Sequence, residues 1–354
     1  MTPRSPESFG VYIHIPFCRH RCDYCAFATW TDRDHVIDDY LDALRCDIAR
    51  ASLAPVTSVF VGGGTPTRVP AADLASVLSV IPLAPSAEVT VECNPDDVTV
   101  EMMRTYAAAG VNRVSIGVQS MVPSVLASLG RTHVPANVSH AVDAVRAAGI
   151  ATFNLDIIYG GAGESLDDWR ATLEGVLALQ PPHVSAYALT IEAGTPLAED
   201  PSRHPDDDDL ADKYELADDL LSGAGLSNYE VSNWSVSGHE CRHNILYWQQ
   251  GNYRGFGSAA HSHTDGHRWW NVRTPERYVA AVRDGESTAA AGENLDDETR
   301  RIEGLQLALR MKDGVPASAL EVDGLEGLVL VDGDRVRLTR SGRLLANEVS
   351  MRLR

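Results

Sequence analysis

Two periods of hydrophobic and polar positions alternate along the first half of the chain. Residues 9–15 are β-prone with a two-residue alternation, while in 34–53 the apolar positions Val36, Ile37, Tyr40, Leu41, Leu44, Ile48 and Leu53 recur near helical spacing. Acidic residues lie early in that run, where the helix dipole favours them. Short apolar runs at 57–61, 87–93, 112–118, 150–158 and 183–190 predict strands, and 70–80, 99–109, 135–148 and 165–179 predict the helices between them, with Gly110 and Gly149 as stops. Such alternation is the pattern of a parallel α/β sheet with helices packed outside, either open or curved into part of a barrel. Functional loops are then expected at the C-terminal ends of the strands.

After residue 200 the pattern changes. The stretch 201–209 is polar and ends in four aspartates, which read as a solvated loop and helix start rather than a divalent-ion site, because the run lacks alternating ligand geometry. A helix is expected at 210–224 and an extended segment at 226–234. Residues 238–273 are rich in His, Tyr, Trp, Asn and Gly and read as a lined loop more than as regular core structure. Helices near 275–284 and 296–311 lead to a hairpin over 328–338 that turns at Asp332-Gly333-Asp334, then to a helix from Ser341. In outline this end resembles a winged DNA-binding unit, but its hairpin carries few cations.

Composition narrows the class. The 354 residues are 44% hydrophobic and 22% charged, enough for a substantial core and two domains. Thirty Lys plus Arg against 49 Asp plus Glu gives a net charge of -19, which argues against a long nucleic-acid surface. No long apolar run and no signal pattern at the N-terminus is legible, so a cytoplasmic location is expected. The six cysteines form one tight cluster with three scattered members, unlike a disulfide framework. Of the scattered ones, Cys93 reads as a small buried hydrophobe.

The cluster is the centre of the chemistry. Cys18, Cys22 and Cys25 are separated by three and then two residues, so three thiolates can converge on one inorganic centre at little loop-closure cost. With His14 or His20 they satisfy the count for a Cys3His zinc site. Alternatively they hold a [4Fe-4S] cluster with one iron open to a small molecule. Further polar residues fall at strand ends: Gly63, Gly64 and Thr65, whose backbone can approach a ligand and offer N–H groups; Glu92 before Asn94-Pro95; Gln119 after Gly117; Arg131, whose fork suits a carboxylate; and Asp156 among apolar neighbours. Each alone is accounted for by a structural hydrogen bond, but together they line a cleft at successive strand ends.

Tyr12-Ile-His-Ile-Pro-Phe-Cys-x3-Cys-x2-Cys25 resembles the opening of the radical S-adenosylmethionine (SAM) superfamily. Gly62-Gly-Gly-Thr-Pro-Thr67, Ser115-Ile-Gly-Val-Gln-Ser120 and Asn154-Leu-Asp-Ile-Ile-Tyr-Gly160 resemble its oxygen-independent coproporphyrinogen III oxidase-like group. Tyr229-Glu-Val-Ser-Asn233 and Glu240-Cys-Arg-His-Asn-Ile-Leu-Tyr-Trp248 resemble the heme-chaperone branch of that group. The resemblance implies a partial (β/α)6 TIM-like barrel over 1–235 and a smaller C-terminal α+β domain over 236–354. It implies a [4Fe-4S] cluster on Cys18, Cys22 and Cys25, and SAM on the fourth iron. Tyr12 would flank SAM, Gly63, Gly64 and Thr65 would border its methionine part, and Glu92, Gln119, Arg131 and Asp156 would contact it.

The resemblance also divides two activities. The oxidases of the group carry a further cysteine two residues after the third, where this chain has Phe27. The chaperone branch lacks it, possesses the His243-Asn244-x2-Tyr247-Trp248 element, and delivers heme to membrane respiratory enzymes without decarboxylating. Heme handling is therefore expected, with His243 a heme-binding residue and Cys241, His261 and His263 as other axial candidates. The expected partners are heme, a client respiratory hemoprotein and a one-electron reductant, with no nucleic acid. The resemblance also admits peripheral membrane contact through a partner and a homodimer. The alternatives are a SAM-dependent coproporphyrinogen III dehydrogenase or another tetrapyrrole-directed radical enzyme, and, in another class, a zinc-stabilised α/β module. Two runs depart from the group: Gly160-Gly161-Ala162-Gly163 for Gly-Leu-Pro-Gly, and Gly257-Ser258-Ala259-Ala260-His261 for Gly-x-Gly-Ala-His.

Overall fold

A computed structural model describes residues 8–354. Six strands, β1 (Phe9–Ile15), β2 (Val56–Gly63), β3 (Leu83–Cys93), β4 (Arg113–Gln119), β5 (Thr152–Tyr159) and β6 (His183–Ala188), pair in parallel in sequence order. The helices α1 (Ile37–Arg50), α2 (Ala71–Leu78), α3 (Val100–Ala108), a short α4 (Pro123–Ser128), α5 (Pro135–Ala147) and α6 (Leu166–Ala178) lie between them. The α/β expectation holds, with boundaries moved by a few residues; α4 has no counterpart in the sequence reading.

The strands have opposite faces of opposite character. Val11, Ile13 and Ile15, Val59 and Val61, Val89 and Val91, Val114 and Ile116, and Leu155 and Ile157 are buried in one apolar core. The alternate residues are mostly polar and fall in register: Gly10 beside Ser58 and Ser58 beside Glu88, then Gly117 beside Asp156. A sheet apolar on one face and polar on the other must fold its polar side around something. Here it is the segment before and within α8 (Arg242–Trp248). Glu88 of β3 accepts from the Arg242 and His243 backbone N–H groups, each at 3.1 Å, answering the open donors and positive dipole end of the helix. His239 accepts on its carbonyl from Arg113 of β4 at 3.1 Å and lies 2.8 Å through its ring from Thr152 of β5. One short segment touching β2 through β5 requires a concave sheet, which is the partial barrel.

The region 238–273 corrects the sequence reading. It is not a lined loop: β9 (Asn252–Phe256) pairs in parallel with β1, and β10 (His261–Thr264) and β11 (His267–Asn271) extend the sheet antiparallel to it. Its strands are short and rich in polar residues, and they show no two-residue hydrophobic alternation. At the other edge, α7 (Asp207–Gly223) precedes β7 (Ser227–Glu230) and β8 (Asn233–Ser235), and after α9 (Pro275–Asp284) the strand β12 (Ala289–Asn294) completes a 12-stranded sheet. The main sheet thus continues past residue 235. The aspartate run begins α7 as expected, with Asp206 accepting from the Asp208 and Asp209 backbone N–H groups at 3.1 Å.

A second core of Leu309, Val315, Leu320, Leu325, Val336 and Val349 joins α10 (Asp297–Leu309), the strands β13 (Val315–Pro316), β14 (Val329–Asp332) and β15 (Arg335–Leu338), and α11 (Arg340–Leu344) and α12 (Ala346–Ser350). Arg340 and Arg343 of α11 pair with Asp218 of α7 at 2.8 Å, fastening this unit to the barrel edge. Among the described residues, no helix is long and apolar enough to cross a membrane.

Candidate functional site

The polar face ends in a mouth at the C-terminal ends of β1 to β5. β1 runs directly into the loop of Cys18, Cys22 and Cys25, whose thiols are free and partly exposed. Burial raises the Cys18 and Cys25 thiols above their ordinary range and the neighbouring cysteines add to the shift, so metal loading must expel their protons. Thr65 Oγ1 lies 3.6 Å from Cys18 Sγ and Arg131 Nη1 lies 3.7 Å from Cys22 Sγ. Arg131 Nε is buried and has no hydrogen-bond partner among the described residues. Three thiols with donors directed at sulfur fit an iron–sulfur cluster. His14, one of the two histidines that the zinc count used, has both nitrogens occupied: Nε2 donates to the Ala28 carbonyl at 2.9 Å and Nδ1 accepts from Tyr12 at 3.0 Å. Burial lowers its pKa and keeps the ring neutral, which fixes that tautomer.

The glycine run contributes in a different way from the one expected. Gly63 N–H donates to Glu92 Oε2 at 3.2 Å, Gly64 N–H to the Ile15 carbonyl at 2.7 Å, and Thr65 N–H to the Phe17 carbonyl at 2.9 Å. The three donors expected to face a ligand are spent within the protein: Gly64 and Thr65 fasten the end of β1 and the start of the cysteine loop to the end of β2, and Gly63 holds Glu92 of β3. What remains is close approach: Gly63 sits at φ +108°, and a Cβ there would stand 2.4 Å from the His14 ring.

Glu92 of β3 and Asp156 of β5 stand on either side of β4 at the mouth. Burial, and then the Asp156 charge, push the Glu92 carboxyl up to about 8 against the opposing Gly63 N–H. Burial also raises Asp156, which Ser115 and Asn154 restrain by donating to it at 2.7 and 2.8 Å. Arg131 donates to Asn94 Oδ1 at 2.8 Å and to the Gly117 carbonyl at 3.0 Å. Gln119 ends β4 at φ +62°, where the register shifts. Two raised carboxyls with a nearby guanidinium can receive a ligand that combines hydroxyls, positive charge and a carboxylate. Asn154 and Ser115 escaped the sequence reading, although their two-residue spacing from Asp156 and Gly117 was the available signal.

His243 lies apart from the mouth. It is buried at the opposite end of the strands, with Nδ1 2.9 Å from Ser58 Oγ and Nε2 2.8 Å from Tyr247 Oη. Burial lowers its pKa to about 3. Both nitrogens serve the packing of α8 against β2. We expect His243→Ala to lower unfolding free energy by about 2–4 kcal/mol, from the void and two orphaned hydroxyls, with bound iron unchanged. Denaturant titration with iron analysis on the same sample checks this. Cys241 and His263 are likewise buried and partnered. Cys93 is buried as expected.

Beside the cysteine loop opens a cavity of about 790 Å³, within the range of small-molecule sites. Tyr12 and His14, Phe27, Tyr247 and Tyr253, His261 and Trp270, and Arg273 and Arg277 line it. Tyr247 and Tyr253 meet edge to face with centroids 4.6 Å apart. The second departing run forms part of this wall, with Ala259 at φ +57° where the group has glycine. Arg273 and Arg277 were not anticipated, because nothing local distinguishes them from surface cations.

Residues 12–176 match the family model described as the radical SAM superfamily. The chain is 41% identical to the heme chaperone HemW of Mycobacterium tuberculosis (strain ATCC 25618 / H37Rv), over 99% of this chain and 95% of the relative. It is 38% identical to the heme chaperone HemW of Escherichia coli (strain K12), over 79% of each, and 31% identical to that of Bacillus subtilis (strain 168), over 96% of this chain and 97% of the relative. The structure of coproporphyrinogen III oxidase (HemN) from Escherichia coli, a radical SAM enzyme, aligns at TM-score 0.85 and 22% identity, over 99% of this chain and 91% of that one, a likeness of fold.

Proposed function

The chain belongs to the radical SAM superfamily and, within it, to the heme chaperone HemW family, and from that premise we propose that it binds heme beside a [4Fe-4S] and SAM site and delivers it to a respiratory hemoprotein. The observation that carries this reading is the aromatic cavity opening against the cysteine loop, with Phe27 at its rim, 68% exposed. An exposed apolar ring beside a cavity is suited to contact with a flat apolar ligand.

Cys18, Cys22 and Cys25 would hold the cluster, with Tyr12, Gly63, Gly64 and Thr65 bordering SAM and Glu92, Gln119, Arg131 and Asp156 contacting its polar groups. When bound, the cluster supplies one-electron reduction of the SAM sulfonium, given an external one-electron reductant. With the ligand's amino and carboxylate groups on the open iron, Glu92 and Asp156 would take its hydroxyl groups and face its sulfonium charge, and Arg131 would hold a carboxylate oxygen. Tyr12 and the glycine run would exclude water by closing on the cofactor. The protein would work in the cytoplasm and meet the membrane through its client, since a net charge of -19 repels anionic lipid.

The test is anaerobic reconstitution with iron and sulfide, followed by two assays on one sample. Heme titration followed by absorbance is expected to show about one heme per chain, and incubation with coproporphyrinogen III, SAM and reductant is expected to give no protoporphyrinogen IX. Catalytic product formation would make the protein an oxidase despite Phe27.

A further inference from the structure

Resting on the heme-binding reading above, we propose that heme sits in the cavity between the cysteine loop and β10–β11, with His261 as its axial ligand and Arg273 and Arg277 clamping its carboxylates. Three observations support this placement. The first is which imidazole is available. Two histidines line the cavity, and the nitrogens of His14 are held by Tyr12 and Ala28. His261 is exposed on the cavity side, and among the described residues neither of its nitrogens takes a hydrogen bond. Its ring stacks on Trp270 across the β10–β11 pair, with centroids 5.7 Å apart and an interplanar angle of 26°, which orients it without using a nitrogen. Burial and then Arg268 lower its pKa, keeping it in the neutral form that binds metal.

The second observation concerns His243. To reach iron it would have to break its contacts with both Ser58 and Tyr247, and Tyr247 stands between it and the cavity, lining the wall while bonding His243 from behind. The motif thus supplies an aromatic wall, with His243 as a positioning residue for Tyr247.

The third is charge. In a chain of net charge -19, Arg273 and Arg277 have no carboxylate within ion-pair distance among the described residues, although Glu276 between them pairs with Arg33. Two free guanidiniums at the edge of an aromatic cavity match an apolar plane that carries carboxylates at its rim.

The experiment is heme titration of the full reconstituted chain, read by absorbance and by affinity, for the wild type, His261→Ala, His243→Ala and the Arg273→Gln/Arg277→Gln pair. His261→Ala is expected to change the heme spectrum and weaken binding at least about tenfold; the arginine pair is expected to weaken binding by about tenfold or more with the spectrum retained. Heme dimethyl ester, which lacks the charges, should bind wild type and the arginine variant alike. Cluster absorbance serves as the folding control, since His261, Arg273 and Arg277 are exposed side chains and none of them is a cluster ligand. If His261→Ala keeps the wild-type spectrum and affinity while His243→Ala loses them, this seat is overturned and the heme-binding reading stands. If the wild type binds no heme, both fall.

Discussion

Cys22→Ser is expected to leave the reconstituted protein without its cluster, taking iron and acid-labile sulfide from about four each per chain to near zero. Cys18→Ser and Cys25→Ser should do the same. A serine oxygen is a harder, less readily ionised donor than thiolate, and a three-ligand site has no spare member. Cys22 also receives Arg131 Nη1 at 3.7 Å, a contact that supports negative charge on sulfur. The control is Cys46→Ser: Cys46 is exposed on α1, away from the loop, and its loss should leave iron unchanged. Full retention of iron by any of the three loop variants would remove that cysteine from the ligand set. One zinc per chain in the wild type would favour the structural alternative instead.

SAM affinity is expected to rise with pH by up to about tenfold per unit below pH 8, and then to level off. The cause is Glu92, whose carboxyl is raised to about 8 by burial and by Asp156. At pH 7 it is largely protonated in the free protein, so a ligand whose sulfonium charge favours the carboxylate must first displace a proton. Glu92→Gln should bind SAM more weakly at pH 8 and lose the slope; equilibrium dialysis from pH 6 to 9 measures both. The same group affects folding in the opposite sense. Its native pKa lies above its unfolded one, so its contribution to stability is complete below the ordinary carboxylate range and is lost as pH rises toward 8. Glu92→Gln should flatten the stability profile of the ligand-free protein across that window. A pH-independent SAM affinity in the wild type would contradict the pairing of Glu92 with a cationic group.

Much of the site was legible because its parts are local. The cysteine spacing is fixed by one loop, and Gly63 and Thr65 follow β2 directly. Glu92, Gln119 and Asp156 each lie at or near a strand's C-terminal end, where a parallel sheet gathers its loops. What the loops do with their hydrogen bonds was not legible: the N–H groups of Gly63, Gly64 and Thr65 go to Glu92, Ile15 and Phe17, partners up to 49 positions away. The polar stretch 238–273 was misread for a related reason. Its strands bury Ser262, His263 and Asn271 and have no alternating burial, so hydropathy carries no strand signal there.

By itself, the sequence determined the α/β order, the three thiols and the motifs of the family, since each depends on contacts within a few residues or on the period of one element. Only the tertiary structure decided which histidine faces the cavity. His243 and His261 are alike as residue types, and both lie in the polar, His-rich stretch 238–273. Glu88, on β3, captures the start of α8 and carries His243 to the barrel's far end, whereas the β10–β11 pairing turns His261 toward the mouth. A side chain's availability depends on what the distant chain has already bonded to it, and no local pattern records that.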